Sequence, residues 1–73
     1  MREIDKAIEL LTPLFEGVAK DREDTTVSLR SEIYHGSDYV IVTINGCEYS
    51  INVECENVRA IIRDVVNTCI LKL

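Results

Sequence analysis

Hydrophobic positions along the chain change period twice, and the changes mark out its elements. From residue 2 to 19, Ile4, Ile8, Leu11, Phe15 and Val18 recur at the 3.6-residue spacing of a helix, and Ala7, Leu10 and Leu14 widen the stripe. Pro13 lies inside that run, where it removes the bond to the Glu9 carbonyl and bends the axis. The apolar phase passes through it unbroken, which predicts one kinked helix; the alternative is a second short helix capped by Thr12. A charged connector, residues 20–24, has nothing to bury.

From residue 25 the period falls to two. The alternation predicts strands over residues 25–34, 39–44 and 47–53. Asn45-Gly46 is the strongest short hairpin signal, because a type I′ turn needs positive φ at both central positions. A two-residue loop there sets Ile44 against Cys47, Val42 against Tyr49 and Val40 against Ile51, all on one face. Gly36-Ser37, taken as a type II′ turn, sets Ile33 against Val40, Leu29 against Ile44 and Tyr34 against Tyr39. Both turns agree on which face is apolar. The helical period then returns near Glu56 or Asn57, with Val58, Ile61, Ile62, Val65, Val66, Cys69, Ile70 and Leu73 in a broad arc.

These elements predict a single α+β domain over residues 1–73, of order αβββα. The sheet is a three-stranded antiparallel meander, order 1-2-3, with both helices on its one apolar face. The parity of the strands decides what the other face carries: Tyr34, Tyr39 and Ile41 among Arg30, Glu32, Thr43, Glu48, Ser50 and Asn52. Aromatic and aliphatic groups on an otherwise open face suit a contact surface, so Tyr34, Tyr39 and Ile41 are the expected interaction residues. Arg59 and Arg63, spaced i, i+4 on the second helix, are further candidates for an acidic partner.

Composition narrows the remaining options. At 73 residues, 47% of them apolar and 29% charged, the chain suits one globular domain near the lower size limit for a lone core. Thirteen acids against eight bases give a net charge of −5, which opposes nucleic acid as a partner at long range. No apolar run reaches the ~18 residues of a membrane helix, and the start lacks a signal peptide's apolar block, so the expected location is cytoplasmic. Cys47, Cys55 and Cys69 form no CxxC pair and are expected as buried free thiols. Cys47 and Cys55 would stand about 26 Å apart along an extended strand, too far to bridge. With His35 the one histidine, neither a zinc site nor a Cys–His nucleophile is supported, and Gly17, Gly36 and Gly46 form no phosphate-binding loop. No enzyme, cofactor or metal is expected.

The αβββα order at this length resembles the double-stranded-RNA-binding domain, which packs two helices on one side of a three-stranded antiparallel sheet. In that family the first helix and the loop between the first two strands reach successive minor grooves, and lysines opening the second helix hold phosphates. The corresponding loop here is Tyr34-His35-Gly36-Ser37-Asp38, and the second helix opens on Glu54-Cys55-Glu56-Asn57-Val58-Arg59, with acids in place of the lysines. The first helix sets Glu3, Asp5 and Glu9 against Arg2 and Lys6. The resemblance therefore implies a fold rather than its activity. The expected function is a small, non-enzymatic protein-interaction module that associates with itself or another protein. The alternative is a degenerate RNA-binding domain using His35, Arg59 and Arg63.

Overall fold

The computed structural model describes residues 2–73. The chain runs α1 (Glu3–Lys20), β1 (Val27–Tyr34), β2 (Ser37–Ile44), β3 (Cys47–Asn52), α2 (Val58–Cys69) and a closing 3-10 turn, Ile70–Lys72. The strands form one antiparallel sheet in the order β1-β2-β3, as the turn chemistry predicts.

α1 is a single helix with Pro13 inside it. The Thr12 hydroxyl donates to the Ile8 carbonyl at 2.8 Å, giving that carbonyl a side-chain partner beside the position where proline cannot donate. Its buried face is Ile4, Ala7, Leu11, Phe15 and Ala19, whereas Leu10 and Leu14 remain about half exposed at the border of the stripe. α2 starts one residue later than the apolar pattern alone suggests, because Asn57 is extended and its side chain accepts from the Ala60 N–H at 2.9 Å. That is an N-cap, and it fixes where the helix begins.

The core lies between the sheet and both helices. Val40, Val42 and Ile44 of the central strand, with Ile51 and Val53, meet the α1 residues and Ile61, Val65, Cys69 and Leu73. Two contacts hold the closing turn in place: Arg22 Nη1 donates to the Leu73 carbonyl at 2.6 Å, and Lys72 Nζ stands 5.0 Å from the centre of the Tyr49 ring. The N-terminal end of α1 is tied to the sheet by an ion pair from Arg2 to Asp38.

The second hairpin has the expected register, with Ile44 opposite Cys47, Val42 opposite Tyr49 and Val40 opposite Ile51. The first does not. Its central turn residues are His35 and Gly36, at φ of 50° and 79°, so both hairpins use type I′ turns. Histidine is among the non-glycine residues that enter the left-handed region more readily, which makes His-Gly competitive with Gly-Ser for the turn. Tyr34 consequently pairs with Ser37 rather than Tyr39, Leu29 with Val42 rather than Ile44, and Ile33 with Asp38 rather than Val40.

This displacement is two residues, and an even displacement preserves which face each side chain occupies. The inward and outward sets therefore survive the change of register. Ile33 does not stay covered: it keeps its parity but, next to the turn on an edge strand, is 66% exposed. Two of the three cysteines also differ from expectation. Cys47, at the end of an edge strand beside its turn, and Cys55, in the β3–α2 connection at φ of 62°, are exposed; Cys69 is buried.

Candidate functional site

The sheet face opposite the helices is arranged in rows across the three strands: Arg30, Ile41 and Ser50 in one, Glu32, Tyr39 and Asn52 in the next, then Tyr34 and Ser37. The corrected register moves Tyr34 one row from Tyr39, into a diagonal relation. The two rings still meet, edge to face, with centroids 6.3 Å apart and planes at 74°. Long aromatic side chains reach diagonal neighbours readily, which is why the contact survives. His35 in turn sets its ring 4.2 Å from that of Tyr34, at 75°. Asn52 Nδ2 donates to the Tyr39 hydroxyl at 3.4 Å, a long bond that links Tyr39 to β3. Tyr34, the outermost of the set, is 64% exposed.

Beside these rings is an open groove of about 340 Å³ lined by Glu32, Tyr34, Tyr39 and Ser50. Its charge follows from the next row. Arg30 Nη2 contacts Glu48 Oε2 at 3.1 Å and Glu32 Oε2 at 3.7 Å. Glu48 lies on β3 and Arg30 on β1, so the guanidinium must cross the central strand to reach it. Arg30 lies directly opposite Ile41 in the ladder, so its path to Glu48 accounts for the 5% exposure of Ile41, which lies outside the core cluster between sheet and helices. Ile41 thus occupies the expected face but offers almost no contact area; it is a small apolar floor under a charged cover. Two carboxylates, Glu32 and Glu48, accompany the guanidinium of Arg30 on this face. Ser37 Oγ donates to Glu54 at 2.9 Å.

Arg59 and Arg63 lie elsewhere. They border a separate shallow cleft with Asn57 and Ala60, on the exposed side of α2, and Arg63 Nε is engaged by Asp64 at 3.1 Å. Since α2 packs on the apolar face, the structure does not bring these arginines to the tyrosines. Near the same helix start, Glu56 Oε1 is enclosed. The Glu56 carboxyl faces that of Asp64; sharing a hydrogen bond raises Glu56 above its ordinary value, and the same bond, with Arg63, lowers Asp64. Neither acid stands out in the sequence, because they lie eight positions apart with the start of α2 between them. Among the described residues, no group of three or more His, Cys, Asp or Glu is placed to hold a metal ion. No helix among the described residues is long and apolar enough to cross a membrane.

No family model, no curated protein and no solved structure matches the chain. Fold and site together define a small α+β module with an aromatic, acid-bordered groove on its open sheet face.

Proposed function

We propose that the protein is a non-enzymatic interaction module that docks a polypeptide on the open face of its sheet, with a second copy of the chain the first partner to test. One observation carries this reading: two tyrosines, one of them 64% exposed, meet on a face that the fold leaves uncovered. Tyrosine combines a large contact area with few rotatable bonds, so it loses little entropy on docking and is enriched at binding hot spots. The strands beneath hold both rings in register, and a rigid platform lowers the cost of association further.

Equilibrium sedimentation tests the reading. Wild-type protein at tens of micromolar is expected to sediment as a dimer, and Tyr34→Ser, which removes an exposed ring without opening the core, as a monomer. A wild-type monomer at that concentration would remove self-association from the account. A Tyr34→Ser dimer would remove this face from it.

A further inference from the structure

Resting on the docking reading above, we infer that the groove on the open sheet face grips a cationic side chain, an arginine borne by the partner polypeptide. The lining is two aromatic rings, one carboxylate and one hydroxyl, from Tyr34, Tyr39, Glu32 and Ser50. Ring faces carry the negative end of the aromatic quadrupole and attract cations, and a guanidinium stacks on them while its N–H groups reach nearby acceptors. Glu32 supplies such an acceptor at the wall of the groove. Among the described residues it has one cationic neighbour, Arg30, whose Nη2 lies closer to Glu48 at 3.1 Å than to Glu32 at 3.7 Å. Arg30 therefore leaves the Glu32 carboxylate incompletely matched.

Charge over the whole face points the same way. Glu32 and Glu48 outnumber Arg30, so a guest cation meets a field of attracting sign while a phosphate or carboxylate meets the reverse. The groove, about 340 Å³ and open to solvent, lies at the lower end of the ~300–1,000 Å³ typical of ligand sites and admits a side chain without opening the fold. An arginine projecting from an extended segment or a helix of the partner fits these limits.

The probe is N-acetyl-arginine amide, titrated into the full chain while the ring protons of Tyr34 and Tyr39 are followed by NMR. N-acetyl-citrulline amide, nearly isosteric but uncharged, serves as the comparator and needs no mutation. The expected result is a saturable shift of both rings with arginine and none at equal concentration with citrulline. Glu32→Gln should weaken the arginine probe about threefold, the scale of an exposed charge pair of ~0.2–1 kcal/mol. Equal shifts with citrulline, or no shift with arginine at tens of millimolar, overturn the inference. If the rings ignore arginine while Tyr34→Ser still abolishes self-association, cation recognition falls and the docking face stands. If arginine binds but Tyr34→Ser leaves association intact, the groove is cation-selective and the self-docking reading falls.

Discussion

Replacing Ile41 with alanine probes the least expected feature of the molecule, a buried aliphatic group on the side of the sheet that has no helices. Ile41 is 5% exposed, and the substitution removes three carbon groups from that environment. At about 0.8 kcal/mol for each buried carbon, the transfer loss is about 2.4 kcal/mol. A cavity contribution should be small, because the cover is a long arginine side chain that can settle into the space rather than a packed core wall. For a domain of this size, whose net stability is on the order of 4–10 kcal/mol, that loss is readily measured as a shift in the urea midpoint. Arg30→Ala should cost less, about 1 kcal/mol, since it removes exposed ion pairs and uncovers Ile41. The double variant should then show a coupling of at least ~0.5 kcal/mol, because alanine at 41 leaves Arg30 little to cover. An Ile41→Ala cost under ~0.5 kcal/mol, as for an exposed residue, or additive single costs, would refute the argument that Arg30 crosses β2 and seals the central strand.

Three further outcomes follow from local geometry. Asn57→Ala should destabilise by about 1 kcal/mol in urea unfolding, because it removes the acceptor for the Ala60 N–H; Asn57→Ser should recover most of it. Glu56→Gln should alter the pH dependence of stability: the raised Glu56 is stabilising while protonated and loses that contribution as pH rises through its folded value, above the ordinary 4.5. Glutamine keeps a donor toward Asp64 at every pH, so the variant should lose less stability than wild type as pH rises above the ordinary 4.5; parallel curves would refute the shared proton. Thiol labelling under native conditions at pH 8 should modify Cys47 and Cys55 quickly and Cys69 only on unfolding, since burial both hides that thiol and raises its pKa. Three equal rates would contradict the burial of Cys69.

Much of the architecture is legible because its signals are local and redundant. Asn45-Gly46 admits essentially one turn, and the helix stripes around Leu11 and Val65 leave no second face to choose. The first hairpin was harder, because His35-Gly36 and Gly36-Ser37 both offer an acceptable two-residue turn and differ by two in register. Parity is blind to that difference, so the faces were readable while the partners of Tyr34, Leu29 and Ile33 were not. Ile33 looks like core in any periodic reading, and its exposure depends on what packs over the turn end of β1, a tertiary fact. Ile41 shows the converse: its burial depends on the path of one arginine side chain across a neighbouring strand. The candidate groove was half legible. Tyr34 and Tyr39 were evident as outward aromatics, whereas Glu32 reads as one solvated acid among thirteen until the register sets it opposite Tyr39.

The most direct test compares two surfaces in one experiment. Side-chain NMR spectra recorded from low to high micromolar concentration would follow the rings of Tyr34 and Tyr39 on the sheet face and the methyl groups of Leu10 and Leu14 on α1. Docking through the sheet predicts concentration-dependent shifts of the tyrosine rings while the leucine methyls stay fixed. Shifts confined to the leucines would place the contact on the helical layer and contradict the account.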